Sequence, residues 1–340
     1  MIKKIYENLK KFINENIKEL IFLFGFYVVM TYPLPYFVLV SGGTIDVSDR
    51  VVVEDAYEQK GSFNLAYVNE LKGTLPTVLL SHVIPSWTLY EEADYSYDET
   101  EDLYDIAKRN NIYLRQSLQN SIKVAYEEAG NEFKIKNTAY LIYYVYDYVK
   151  EYSDIRVGDQ LIEYDGHKIL DIDDYKAYVQ KQETGDFIKI KVLRNGHEVE
   201  TKLKVLEEKE KYTGIIVSTI YDYETNPKIS FKFKENESGS SGGLTLALAI
   251  YNKLTKEDIT KGYKIVGTGT IEPDGSVGAI GGVEYKLKGA VKSKADIFIV
   301  PSGDNYKEAL ALKKKEKYDI YIMEVSTFKE ALKKLKDYEK

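Results

Sequence analysis

The sequence predicts a multidomain α+β protein with an N-terminal transmembrane helix, a central β module with short helices, and a C-terminal α/β domain. Three observations predict this class. An uncharged apolar run lies near the N-terminus, the middle of the chain has short strand patterns with Asx-Gly turns, and the last third alternates strands with amphipathic helices. A chain of 340 residues also exceeds the usual size of one domain.

The apolar run comprises residues 20–40, LIFLFGFYVVMTYPLPYFVLV, and carries no charge. Its length suits a helix that crosses ~30 Å of hydrocarbon. Lysines at positions 3, 4, 10, 11 and 18 precede it, and the positive-inside rule therefore predicts that residues 1–19 are cytoplasmic. The expected partner of this segment is the lipid bilayer. The expected location is the cell membrane, single-pass, with the bulk of the chain outside the cytoplasm.

Two other interpretations of residues 20–40 were weighed. A cleaved signal peptide requires small residues at its cleavage site, whereas the flank here is YFVLVSGGT. A buried soluble helix is the second alternative. Pro33 and Pro35 would end any helix near Tyr32, so a full span would have to begin upstream, near Phe12.

Composition excludes several functional classes. A net charge of −7 disfavours nucleic acid as a partner, and the lack of cysteine excludes disulfides and thiolate metal sites. The acidic stretch at 91–102 lacks regular ligand spacing and is expected to be a solvated loop. No G-x-x-x-x-G-K-[ST] loop is present to bind nucleotide phosphates. We therefore expect no metal and no cofactor.

Residues 41–130 are predicted to form a membrane-proximal β segment followed by a long helix. Strand patterns occupy its first half, and residues 99–130 have helical periodicity, no proline and a terminal glycine.

Residues 131–206 resemble a PDZ domain. The resemblance depends on VGDQLI at 157–162, on the Asp165-Gly166 turn and on a predicted helix over 173–180. PDZ domains add extended peptides as a strand beside that helix. The glycine loop that would bind a peptide carboxylate is not visible in residues 137–142, NTAYLI, so the resemblance leaves open whether C-termini or internal segments bind.

Residues 207–340 are predicted to form an α/β domain that carries the catalytic chemistry. Strands are predicted at 214–220, 229–233, 263–271 and 296–300, and helices at 243–254, 285–293, 306–315 and 327–335.

Two motifs in this domain each open a helix. ESGSSGG at 237–243 leads into an apolar helix, where free backbone N–H groups and the helix dipole can stabilise an oxyanion beside Ser241. The glycine-rich VGAIGG at 277–282 leads into a helix on which Lys286 and Ala290 share an apolar face, while Lys288 is expected to be exposed. A buried lysine has the lowered pKa that a general base requires.

Together these motifs resemble the proteolytic domain of the Lon family. The resemblance depends on G-x-S-x-G at 239–243, on GTGTIEPDGSVGAIGG at 267–282 and on Lys286. It implies that Ser241 is the nucleophile, that Lys286 is the general base, and that Thr268 holds the lysine amine. The order of anchor, PDZ-like module and Lon-like domain resembles the ATP-independent, PDZ-containing Lon-like proteases of Gram-positive bacteria. It implies an endopeptidase that cleaves peptides or unfolded proteins outside the membrane, and it makes a homo-oligomer plausible.

The serine motif departs from the commonest family version, which has proline before and alanine after the nucleophile. Here those positions are Ser240 and Gly242, which leaves Ser238 and Ser240 as alternatives to Ser241. Ser241 is preferred because it has glycines at both −2 and +2; Gly239 and Gly242 are taken as supporting residues. The departures also allow an inactive, membrane-tethered PDZ scaffold. A Ser-His-Asp triad is disfavoured, since no histidine falls within 207–340.

Overall fold

The computed structural model describes residues 2–91, 101–234 and 237–339. Its helices are α1 (Ile2–Glu15), α2 (Ile17–Thr31), α3 (Leu75–Ser81), α4 (Leu103–Ala129), α5 (Asp147–Lys150), α6 (Ile172–Lys181), α7 (Gly243–Leu254), α8 (Val283–Lys292), α9 (Asp304–Glu316) and α10 (Phe328–Asp337). Its strands are β1 (Tyr36–Asp46), β2 (Val51–Val53), β3 (Ser62–Lys72), β4 (Trp87–Glu91), β5 (Glu132–Val145), β6 (Gln160–Tyr164), β7 (His167–Lys168), β8 (Phe187–Arg194), β9 (His197–Lys204), β10 (Leu206–Glu207), β11 (Lys211–Tyr212), β12 (Ile215–Asn226), β13 (Ile229–Phe231), β14 (Lys264–Gly267), β15 (Thr270–Ile271), β16 (Val277–Gly278), β17 (Ile297–Pro301) and β18 (Tyr321–Val325).

The chain divides into two compact units. The described residues of Met1–Ser41 and Val68–Tyr95 form the first unit, and those of Gly42–Tyr67 and Ser96–Lys340 form the second. Residues 42–67 thus share a unit with the PDZ-like and C-terminal parts of the chain, which the sequence patterns did not predict.

In the first unit, the apolar run is divided between a helix and a strand. α2 ends at Thr31 and β1 begins at Tyr36, where it pairs antiparallel with β4. Pro33 and Pro35 explain the change, because proline lacks the N–H that a helix needs and favours extended backbone at the preceding residue. Residues 20–40 therefore do not form one continuous helix; the helix ends one residue before Tyr32, where the two prolines predict its end. Within the described residues, no helix combines the length and the apolarity required to cross a membrane.

The second unit contains a parallel sheet in the order β18-β17-β14-β3. Because side chains alternate across a strand, Ile265 and Val266 of β14 face different layers. Ile265 packs in a core with α7 and α10, whereas Val266 packs in a second core with α8 and α9. The catalytic candidates therefore lie on a three-layer α/β core.

A second sheet in this unit has the order β12-β5-β6-β8-β9, with α6 packed through the buried Tyr175 and Val179. Its two predicted Asx-Gly turns are present: Asp165 and Asn195 both have positive φ, as type I′ hairpin turns require. The long predicted helix is α4, which begins at Leu103 and contacts α7, β5 and β12. The predicted acidic loop at 91–102 lies mostly outside the described residues.

Candidate active site

Ser241 lies in a turn two residues before the first residue of α7. Gly239 has a φ of +93°, a conformation that favours glycine, and its N–H donates to Asn110 O of α4 at 3.0 Å. Gly242 has ordinary φ, but a Cβ added to it would lie 2.9 Å from Leu65 Cδ2. Gly239 is therefore favoured by its backbone conformation, and Gly242 by its close packing against Leu65.

Helix α4 holds this turn through two serine hydroxyls. Ser117 Oγ donates to Ser240 O at 3.3 Å, and Ser121 Oγ donates to Gly243 O at 2.9 Å. A Cβ on Gly243 would lie 2.7 Å from Ile271 Cγ2 and 2.8 Å from Ser117 Oγ. The start of α7 is therefore packed closely against its support.

An ion pair restrains the segment that precedes the turn. Arg50 Nε and Nη2 donate to both carboxylate oxygens of Glu237, the latter at 2.6 Å from Oε1. Hydrogen bonding to Arg50 lowers the pKa of Glu237, and the two side chains are only 12% and 17% exposed. Sequence analysis missed Arg50 because it precedes Glu237 by 187 positions.

Thr268 is fully buried at the carboxyl end of β14. Its Oγ1 donates to Ser241 O at 3.1 Å, and the N–H of Gly269 donates to the same carbonyl at 2.7 Å. The strand predicted over 263–271 is interrupted here, because Gly269 adopts a φ of +146° and the chain resumes as β15. The structure therefore brings Thr268 to the backbone of Ser241.

Lys286 is only 4% exposed and lies on the face of α8 that begins with the buried Val283. Burial lowers its pKa from 10.5 to about 8. No ion pair to Lys286 is found among the described residues. Lys288 differs: burial acts to lower its pKa, but its bond to Glu284 and the charge of that carboxylate raise it overall. Of the two lysines, Lys286 is the desolvated amine.

Ser241 precedes α7 and Lys286 lies on α8, and these two helices pack in different layers. In the part of the chain that the structure describes, no hydrogen bond joins Ser241 Oγ to Lys286 Nζ. The structure brings Thr268 to the carbonyl of Ser241, and it buries the side chain of Lys286.

Thr245 is a further residue that sequence analysis did not select. It lies four positions after Ser241, is 1% exposed, and its Oγ1 has no hydrogen-bond partner among the described residues. Gly267 permits this placement, because a Cβ there would lie 2.4 Å from Thr245 Oγ1. A threonine one helical turn after a candidate nucleophile is the signal that could have identified it.

The three histidines lie outside residues 207–340. His167 and His197 are exposed beside the two hairpin turns, and His82 follows α3 in the first unit.

Comparisons with known proteins agree with this arrangement. A family model of the Lon protease (S16) C-terminal proteolytic domain matches residues 235–336, and a PDZ domain model matches residues 141–205. No curated protein matches the chain significantly. Among solved structures, the PDZ domain of the SdrC-like protein from Listeria monocytogenes matches at 20% identity and a TM-score of 0.23, over 25% of this chain and 92% of that one.

The first matched range contains Ser241, Thr268 and Lys286, and the second contains β6, β8, β9 and α6. Residues 235–336 match the Lon protease (S16) C-terminal proteolytic domain and residues 141–205 match a PDZ domain, so the chain combines a Lon-like proteolytic domain with a PDZ domain.

Proposed function

We propose that this chain is a membrane-anchored, ATP-independent serine endopeptidase in which Ser241 is the nucleophile and Lys286 the general base. The observation that carries the proposal is the burial of Lys286. With a pKa of about 8, about one lysine side chain in ten is neutral at pH 7, compared with fewer than ~1 in 1,000 for a solvated lysine. A neutral amine can accept the proton of a serine hydroxyl.

The proposed reaction has two halves. Ser241 Oγ attacks the peptide carbonyl carbon while Lys286 Nζ takes the hydroxyl proton, and the resulting tetrahedral intermediate expels the amine, which receives that proton from Nζ. Water, deprotonated by Lys286, then cleaves the acyl-enzyme ester and restores both side chains. Thr268 supports the geometry, since its hydroxyl and the next N–H fix the carbonyl of Ser241.

The start of α7 offers donors for the oxyanion. Within the described chain, the N–H groups of Ser241 and Gly242 have no hydrogen-bond acceptor. Backbone N–H groups at a helix start carry partial positive charge, which favours the negative oxygen of a tetrahedral intermediate.

Short or unfolded polypeptides are the proposed substrates. The sequence holds no Walker A loop, so the chain itself has no visible means of using ATP to unfold a stable domain.

The proposed membrane attachment is supported by α1 and α2. Apolar side chains of α2 such as Phe22 and Phe24 are 71% and 69% exposed, and a surface of this kind is costly in water. α1 carries Lys10 and Lys11 beside exposed apolar residues, a combination that suits the cytoplasmic side of a bilayer.

Orientation can be tested by thiol labelling, because the natural chain has no cysteine. We expect a membrane-impermeant maleimide to label Lys333→Cys in intact cells and to label Lys10→Cys only after the membrane is opened; both side chains are exposed. The reverse pattern, or labelling of both in intact cells, would reject the proposed topology.

The proteolytic proposal competes with an inactive PDZ scaffold. An acyl-fluorophosphonate or peptide-boronate probe should react with the wild-type chain and not with Ser241→Ala. Ser238→Ala and Ser240→Ala are matched controls from the same turn and should still react. If the wild type fails to react, or if Ser241→Ala reacts as well as the wild type, the proposal fails.

Peptide cleavage should also depend on pH. We expect kcat/KM to rise as Lys286 loses its proton, with an inflection near pH 8, and to be abolished in Lys286→Ala. Near-normal turnover by that variant would require another base.

A further inference from the structure

The PDZ domain of this chain has a feature that its family match does not reveal. A PDZ domain takes an extended peptide as an added strand, in a groove between one strand edge and a helix. Here the matched range begins within β5, and the helix is α6. One edge of β5 pairs with β6, so its other edge is the one available for an added strand.

That second edge is occupied by the chain itself. β12 pairs antiparallel with β5 from Ile215, opposite Val145, to Asn226, opposite Glu132. Antiparallel pairing with a groove strand is the geometry of strand addition. The N–H of Tyr146 also donates to Gly214 O at 3.0 Å, which extends the pairing beyond the strand.

The residues before β12 lie against α6. Tyr175 Oη and Thr213 Oγ1 are 2.9 Å apart, in a buried hydrogen bond. Gln180 Nε2 donates to Lys211 O at 2.6 Å, and the N–H of Lys211 donates back to Gln180 Oε1 at 3.1 Å. Residues 211–213 thus bond to α6, and the residues from Ile215 onward pair with β5. The chain therefore runs through the groove between α6 and β5.

α4 holds β12 from outside the PDZ domain. Gln119 bonds to two backbone groups of the strand: its Oε1 accepts from Tyr221 N at 2.6 Å, and its Nε2 donates to Thr219 O at 3.3 Å. The same helix holds the Ser240 carbonyl through Ser117. α4 thus connects the occupied groove with the turn that carries Ser241.

We propose that residues 211–218 are the resident ligand of this PDZ groove, and that the occupied domain supports α4 and the serine turn instead of binding free peptides. Within the PDZ match, Ile215–Ser218 pair with residues 141–145, and the rest of β12 continues the pairing along residues 132–140. A free peptide would therefore have to displace a long strand. An attached segment also competes at an effective concentration on the order of millimolar. Substrate therefore reaches the α/β domain without passing through this groove.

Hydrogen exchange of the full chain in detergent tests the proposal. We expect amides of residues 215–226 to be protected at least as well as those of β5. A double variant, Thr213→Val with Gln119→Ala, removes the Tyr175–Thr213 bond to α6 and both Gln119 bonds from α4. It should exchange at least tenfold faster in residues 211–226. Thr201→Val is the matched control: it removes a threonine hydroxyl bond of the same length, to Ser153, elsewhere in the domain.

A fluorescein-labelled peptide with the sequence of residues 211–222, KYTGIIVSTIYD, provides a second readout by anisotropy. It should show no saturable binding to the wild type, because the attached strand already occupies the groove. Saturable binding to the wild type, rapid exchange of β12 in the wild type, or unchanged exchange in the double variant would each overturn the proposal. These readouts do not depend on proteolytic activity, so they can fail or succeed independently of the Ser241 mechanism.

Discussion

Replacing Lys286 with methionine should stabilise the fold at neutral pH. Burial has lowered the pKa of Lys286 from 10.5 to about 8, and at about 1.4 kcal/mol per tenfold change this corresponds to about 3 kcal/mol. Below pH 8 the lysine is charged in both folded and unfolded chains, and the folded state bears the full cost of burying that charge. Methionine has a similar length and no charge, so Lys286→Met removes this cost.

The pH dependence gives the sign of the effect. Between pH 8 and 10.5 the unfolded chain binds more protons at this site than the folded chain, so the stability of the wild type rises with pH through that window. Above pH 10.5 the lysine is neutral in both the folded and the unfolded chain, so burying it no longer lowers the free energy of unfolding. The advantage of Lys286→Met should therefore be about 3 kcal/mol at pH 7 and close to zero near pH 11.

Thermal unfolding at both pH values measures this difference. At about 2–4 °C per kcal/mol for a domain of 150–250 residues, the variant should melt about 6–12 °C higher than the wild type at pH 7. Lys288→Met is the control, because Lys288 is paired with Glu284 and should show no such gain. Parallel pH profiles for the wild type and Lys286→Met would refute the assignment of Lys286 as a desolvated amine.

Three further substitutions probe the site. Thr268→Val keeps the side-chain shape but removes the hydroxyl that donates to the carbonyl of Ser241. Losing this hydrogen bond costs about 1 kcal/mol, which predicts a kcat about fivefold lower with little change in KM. An unchanged kcat in steady-state kinetics on a peptide would contradict this prediction. Arg50→Met leaves Glu237 without its main partner and should destabilise the second unit by about 1–3 kcal/mol in urea unfolding, whereas an unshifted midpoint would mean that the ion pair contributes nothing. Gly243→Ala should lower the free energy of unfolding by about 1–3 kcal/mol, because the added methyl group would meet close neighbours. Gly281→Ala is the control and should be near neutral, since no atom lies within 4 Å of the added methyl group. Equal effects of the two substitutions would argue against the packing explanation.

Sequence patterns predicted the elements that depend on residues close together in the chain. The helix over 243–254 was placed correctly, since its apolar stretch begins at two glycines and contains no breaker. The burial of Lys286 followed from its apolar helix face and is confirmed by its 4% exposure. In both cases the deciding residues lie within a few positions of one another.

Features that depend on distant residues could not be predicted in this way. The break after β14 positions Thr268, but the residues 263–271 read as one continuous strand because a single glycine's φ decides the outcome. Arg50 and the strand β12 in the PDZ groove acquire their roles only from partners far along the chain. The catalytic assignment itself remains a prediction from the resemblance, supported by the environment of Lys286.

The parallel pairing of β3 with β14 has a consequence for how this protein is made. Asn64 Nδ2 donates to Ile265 O across 201 positions, and the whole PDZ domain is encoded between these two strands. At ~5–20 residues per second, the ribosome needs on the order of 10–40 s to supply the partner of β3. During that time the apolar strand has an open edge, which is prone to pair with other chains. Rapid pairing of β14 with β3 once β14 is synthesised therefore protects the nascent protein from aggregation.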